Sequence, residues 1–197
     1  MKRARQRKLL PKSTRLAVDA TGLESRHTSR YYRWRLGGRH QWRVWPKLTV
    51  ACDVLSHFLL GADVSIGPSQ DSPQFRPVVL QAHQLHPIHE VLGDKGYDAE
   101  HNHRFCREEL GIGSTLIAIR RKSKRSRDRS WPTTPYRREM KRLRRHPEFG
   151  QRWQVESAFS RLKRRLGSAL RARTWPMQQW ECSLRVLTHN LMLLAAA

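Results

Sequence analysis

Acidic residues are scarce. Only 16 Asp and Glu stand against 39 Lys and Arg, a formal net charge of +23 over 197 residues. A domain with so little negative charge repels itself unless a polyanion neutralises it. Nucleic acid is the usual polyanion, so a basic nucleic-acid-binding protein is the first expectation. Cysteine is also scarce: Cys52, Cys106 and Cys182, an odd count with no Cys-x-x-Cys pair. That argues against a disulfide framework. His101, His103 and Cys106 lie close in sequence, but no second ligand pair stands at a zinc-site spacing, so they read as exposed helix residues. No apolar run reaches the length of a membrane span. The basic N-terminus, Met1 to Lys8, is followed by no apolar core of the kind a secretion signal needs. A cytoplasmic protein without membrane contact is expected. Apolar residues make up 38% of the chain, enough for one ordinary core. No internal repeat is visible.

Apolar patterning divides the chain as follows. Residues 1–15 read as a basic arm without fixed structure, and residues 16–197 as one domain. Leu16 to Gly22 is a short apolar strand closed by Gly. Residues 26–45 are basic and aromatic. Lys47 to Val54 and His57 to Ile66 pattern as a hairpin. Asp71 or Ser72 is placed to cap a helix with Pro73 in its first turn, running to about His86. Ile88 to Leu92 is a compact strand ending in Gly93-Asp94-Lys-Gly-Tyr-Asp98. A helix from Ala99 to Leu110 ends at Gly111, and Ser114 to Ile119 is a further strand. Residues 120–145 hold thirteen basic residues and two acids, with Pro132 and Pro135 inside, and read as a basic loop. Two helices, about 148–166 and 177–195, finish the chain. Three strands followed by alternation of helix and strand predict an α/β fold, one mixed sheet with helices on its faces.

Three carboxylates stand out. Asp19 interrupts an apolar strand, where burial of its charge is costly unless something satisfies it. The plain alternative is a turn or cap at a strand end. Asp94 directly follows another short strand, a favoured functional position in such sheets, although Asp and Gly are also ordinary turn residues. Asp98 reads as a helix cap. Glu156 is placed by helix geometry. At about 100° per residue, Phe149, Arg152, Glu156 and Lys163 form one stripe beside the apolar face of Val155, Ala158, Phe159, Leu162 and Leu166. Alone this stripe is equally an ion-paired solvated edge. Together, carboxylates from two strands and one helix are the donor set for a pair of Mg²⁺ or Mn²⁺ ions clamping a phosphodiester.

These residues resemble the catalytic domain of bacterial insertion-sequence transposases of the DDE superfamily. The first Asp of that family matches Leu16-Ala-Val-Asp19-Ala-Thr-Gly22, and the second matches Asp94-Lys-Gly-Tyr-Asp98. The third block, Tyr, two residues, Arg, three residues, Glu, six residues, Lys, matches Phe149, Arg152, Glu156 and Lys163 at every interval. Phe149 replaces the Tyr, so a hydroxyl there is missing. The resemblance implies a ribonuclease-H-like mixed five-stranded sheet. It implies two Mg²⁺ or Mn²⁺ ions on Asp19, Asp94 and Glu156, with cleavage at element ends and strand transfer into target DNA. Arg152, Lys163, Lys95 and Phe149 become the expected contacts to double-stranded DNA. Trp42, Trp45 and Trp153 would either stack on a displaced base or belong to the core. A homodimer on DNA and a nucleoid-associated location in a bacterial cytoplasm are further expectations. Two features differ from the family. Only eighteen residues precede Asp19, too few for the end-recognition region, and the interval between Asp94 and Glu156 has no room for a large inserted β-domain. A compact domain is therefore expected, either a truncated copy or one half of a split gene. Two alternatives remain: an inactive fragment that only binds DNA, and a nuclease that cuts without strand transfer.

Overall fold

The structure is a computed structural model that describes residues 1–25, 45–120, 132–143 and 146–196. In chain order the elements are α1 (Lys2–Gln6), β1 (Thr14–Gly22), β2 (Glu24–Ser25), β3 (Trp45–Asp53) and β4 (Leu59–Gly67). Then follow α2 (Ser72–Leu85), β5 (Ile88–Gly93), a 3₁₀ turn (Lys95–Tyr97), α3 (Glu100–Arg104) with a π-helical turn (Phe105–Glu109), and β6 (Ser114–Ile117). Last come α4 (Pro135–Arg142), a 3₁₀ turn (Pro147–Arg152), α5 (Trp153–Leu166), β7 (Ala169–Leu170) and α6 (Trp175–Ala195). Five strands form one mixed sheet in the order β4-β3-β1-β5-β6. The first three are antiparallel, while β5 and β6 run parallel to β1. This is the mixed five-stranded α/β sheet that the patterning predicts.

Side-chain alternation along the strands separates two cores. Leu16 and Val18 join Ala51, Leu60, Val91 and Ile117 under α2 and the α3 turn. Ala17 joins Val50, Cys52, Leu92 and Leu116 under α4, α5 and α6. The strand interiors are apolar on both faces, as expected for a sheet covered on both sides. Close approach of α2 to β4 depends on Gly61. A Cβ there would collide with the backbone carbonyl of Val78.

The structure corrects several expectations. Residues 1–15 are not a free arm. Ala4 and Leu10 are buried, Arg5 donates to the Leu85 carbonyl at 2.6 Å and Arg7 to that of Leu194 at 3.1 Å. Part of the basic 120–145 stretch is helix α4, anchored by buried Met140; residues 121–131 and 144–145 lie outside the described residues. Asp71 starts α2 without making a side-chain cap and instead pairs with Lys47 at 2.5 Å. Asp98 does not cap α3. It accepts two hydrogen bonds from Arg137, at 2.7 and 2.8 Å, and one from the Arg120 backbone N–H at 2.7 Å. His103 and Cys106 are buried rather than exposed, and His103 Nδ1 meets the Thr115 hydroxyl at 2.7 Å.

Candidate active site

The site lies where β5 ends beside the middle of β1. These strands pair in parallel, and the last matched pair is Val18 with Gly93. One residue further on come Asp19, still within β1, and Asp94, which directly follows β5 and starts the 3₁₀ turn. Alternation decides where they point. Ala17 and Leu92 face the α5 side, so Asp19 and Asp94, two residues on, face that side too. Asp94 keeps an extended backbone and accepts a hydrogen bond from the Lys95 N–H at 2.6 Å, which starts the 3₁₀ turn.

Helix α5 brings the third carboxylate. Val155, Ala158, Phe159 and Leu162 are buried, which places Arg152 and Glu156 at the edge of the packed face, as the helix geometry predicts. One guanidinium then spans two carboxylates. Arg152 Nη1 lies 3.1 Å from Asp19 Oδ2, and its Nη2 lies 2.8 Å from Glu156 Oε1. Lys163 also reaches β1, its Nζ donating to the Thr21 hydroxyl at 2.7 Å. Thr21 follows Asp19 by two residues and so shares its face.

Electrostatics tie the three acids together. The Asp19 carboxyl titrates above its usual range, chiefly because it is buried. The negative charges of Asp94 and Glu156 push in the same direction, and the Ala20 N–H and Arg152 oppose them. The Tyr97 phenol is raised in the same way, by burial first and then by Asp19, Asp71 and Asp94. Its ring is only 1% exposed and its hydroxyl has no hydrogen-bond partner among the described residues. Tyr97 packs in the α2-side core, its ring centroid 5.4 Å from that of Phe75, near enough to the acids to feel their charge. Beside it, Pro68 to Asp71, Gly96 and Arg120 line an open groove of about 520 Å³.

All three expected ligands face one another's field, and their donors are the oxygens that Mg²⁺ and Mn²⁺ prefer. Among the described residues, however, no three His, Cys, Asp or Glu side chains form a set arranged to hold a metal ion. The Arg152 guanidinium bridges Asp19 and Glu156. The donor chemistry fits divalent ions, provided that Arg152 gives way.

Of the other expected residues, Lys95 is exposed beside Asp94. Phe149 packs against the α5-side core, so a direct DNA contact is not what its position favours. Trp45 lies against Gly22 and Gly67 and is half-buried, outside both cores. Trp153 departs from the core reading: it is 55% exposed, one residue from Arg152. Trp42 lies outside the described residues. No described helix is long and apolar enough to cross a membrane.

Comparison with known proteins gives the following matches. Residues 10–191 match the family described as transposase DDE domain. Among solved structures, a piggyBac transposase synaptic complex with hairpin DNA superimposes with a TM-score of 0.53 at 10% identity, covering 94% of this chain and 48% of that one. The catalytic core domain of BIV integrase matches with a TM-score of 0.47 at 17% identity, covering 89% and 82%. A simian T-cell lymphotropic virus intasome, in complex with the PP2A regulatory subunit B56 gamma, gives 0.48 at 14%, covering 91% and 49%. The chain thus spans about half the length of the piggyBac and intasome proteins. At 10% identity the likeness to the piggyBac structure concerns the fold alone, a mixed five-stranded sheet flanked by helices.

Proposed function

The chain belongs to the transposase DDE-domain family, and from that premise we propose that it is a metal-dependent transposase. It would cleave phosphodiester bonds at element ends and join the freed 3′ ends to target DNA. Asp19, Asp94 and Glu156 would hold two Mg²⁺ or Mn²⁺ ions. When bound, such ions neutralise the phosphate and stabilise the attacking and leaving oxygens. The observation that carries this reading is that Arg152 ties Asp19 on β1 to Glu156 on α5, while Asp94 directly follows β5, the strand parallel to β1.

The chain's own residues supply the rest. Asp19 sits in a partly buried position, where its charge interacts more strongly than in water. Arg152 neutralises Asp19 and Glu156 in the resting site and becomes available to a DNA phosphate once released. Lys163 and Lys95 offer further phosphate contacts on either side, while exposed Trp153 offers an aromatic face to an unpaired base. Thirty-nine basic residues provide the field that draws DNA in.

A second reading has an observation of its own. The carboxylates are not arranged as a metal set in the resting site, which favours a chain that binds DNA without cutting it. Incubation with DNA and Mn²⁺ separates the two. The proposal expects cleaved strands, joined products, and loss of both in Asp19→Asn, Asp94→Asn and Glu156→Gln. Undiminished DNA binding with no cleavage by the unaltered chain favours the binding module. Cleavage without joined products leaves a nuclease.

A further inference from the structure

A buried side chain outside the three acids reaches the turn that carries one of them. Asn102 lies within the short helix α3 and is fully buried. It is a costly residue to place there. Asn competes with the helix backbone for hydrogen bonds. Its Oδ1 atom has no hydrogen-bond partner among the described residues, and a buried acceptor without a partner destabilises the fold. Its amide nitrogen, by contrast, donates twice: to the Tyr97 carbonyl at 2.8 Å and to the Ser72 hydroxyl at 3.1 Å. A carbonyl can only accept, so it is the NH₂ group that must face Tyr97.

Tyr97 is held at its other atoms as well. Its ring packs against Phe75 of α2, and its N–H donates to the Asp94 carbonyl at 2.9 Å. Hydrogen bonds therefore run from Ser72 in the first turn of α2, through Asn102 and Tyr97, to the backbone of Asp94. Gly96, inside the same turn, lies against the Asp71 carboxylate: a Cβ there would stand 2.6 Å from Asp71 Oδ2. Asp71 in turn is paired with Lys47. The 3₁₀ turn Lys95–Tyr97 is thus gripped by the start of α2 on one side and by α3 on the other. The Asp94 carboxylate accepts from the Lys95 N–H of that turn, so the turn sets its direction.

We propose that Asn102 is a positioning residue for Asp94, holding the Lys95–Tyr97 turn through the Tyr97 carbonyl so that the Asp94 carboxylate is aimed at the ion it would bind. This rests on the reading of Asp94 as a metal ligand. Asn102 itself touches neither ion nor DNA. Outer groups that orient metal ligands are typically worth ten- to a hundredfold in metal affinity. An Asn102 that only stabilised the fold would change the unfolding midpoint and leave that affinity alone.

Mn²⁺ titration followed by electron paramagnetic resonance tests it, on the full chain with DNA, at a temperature where circular dichroism shows each variant folded. Asn102→Leu keeps the size of the side chain and removes the donor. It should bind Mn²⁺ at least about tenfold more weakly than the unaltered chain. Ser72→Ala removes the other acceptor, leaves the Tyr97 contact, and should bind Mn²⁺ as the unaltered chain does. Adding Asn102→Leu to Asp94→Asn should cost nothing beyond Asp94→Asn alone, because the carboxylate that Asn102 directs is already gone. If Asn102→Leu does not fold, Asn102→Ala, which brings no new atoms into the core, carries the same comparisons. A folded Asn102 variant with undiminished Mn²⁺ affinity overturns the proposal and leaves Asp94 a ligand. A full further loss in the double variant also overturns it, since the effect would not pass through Asp94. So does an equal loss in Ser72→Ala, which would assign the effect to the seating of α2. No Mn²⁺ binding by the unaltered chain sinks the metal reading itself, and this inference with it.

Discussion

At the residue scale the site is a balance of one cation against three acids. Because folding raises the Asp19 carboxyl above its unfolded value, the native chain disfavours its ionised form. That contribution to stability is lost as pH rises through the folded value. Asp19→Asn is therefore expected to be at least as stable as the original chain at neutral pH in the absence of metal, measured by thermal unfolding. It should also lose any stabilisation by Mn²⁺ that the original shows. His103 gives the opposite sign on the far side of the sheet. Burial first, and Arg107 with it, lowers its imidazole to about 4, against the pull of Glu100, Asp98 and Glu139. The unfolded chain takes up a proton near pH 6.5 while the native chain does not, so stability falls as pH drops from there to about 4, by roughly 3 kcal/mol at most. His103→Gln should flatten that part of the unfolding-midpoint profile; an unchanged slope would remove His103 as its source. The places of Asp19 within β1, of Asp94 just after β5, and of Arg152, Glu156 and Lys163 along one edge of α5 were legible in the sequence, because apolar patterning sets those elements. Tyr97, Thr21 and the Lys47–Asp71 pair were not. Their roles arise from contacts between elements far apart in the chain, which no local pattern encodes.

At the element scale, the long apolar strands and amphipathic helices followed their periodicity to within a few residues. The short pieces did not. Strands β2 and β7 have two residues each and exist only because they pair with one another. Helix α1 is too short to hold itself and is fixed by Ala4 and Leu10 in the core. The Asp98 cap expectation failed because Arg137, on the later helix α4, competes for the carboxylate. Packing of α2 on β4 makes a sharper test. Gly61→Ala would place a methyl group against the Val78 carbonyl, and that neighbour is backbone, which cannot rotate aside. Overpacking of this kind costs about 1–3 kcal/mol or more. Urea unfolding should register that loss, and a midpoint shift near zero would show that α2 can move outward.

At the scale of the whole molecule, charge is the dominant property and the fold explains how it is tolerated. Both cores are apolar, and the acids present are spent on specific pairs: Glu90 and Glu148 with Arg15, Glu139 with Arg107 at 2.9 Å, Asp98 with Arg137 at 2.7 Å. Much of the remaining positive charge lacks an internal partner of opposite sign, simply because basic residues outnumber acids 39 to 16. DNA affinity should therefore fall steeply with salt. Since α4 is packed into the domain, the basic stretch is best tested without deleting it. Neutralising Lys122, Lys124 and Arg125 together should reduce the slope of log affinity against log salt by up to about 3. An unchanged slope would place those residues away from DNA.

The central claim is that Asp19, Asp94 and Glu156 form one divalent-metal site from which Arg152 withdraws. Mn²⁺ titration followed by electron paramagnetic resonance tests it most directly, on the unaltered chain and on Asp94→Asn, both in the presence of DNA. Arg152 pairs with Asp19 and Glu156, and this variant leaves both of those carboxylates in place. The account predicts Mn²⁺ binding by the unaltered chain and at least a tenfold loss of affinity in Asp94→Asn. Equal Mn²⁺ binding by the two, or none by either, would contradict it.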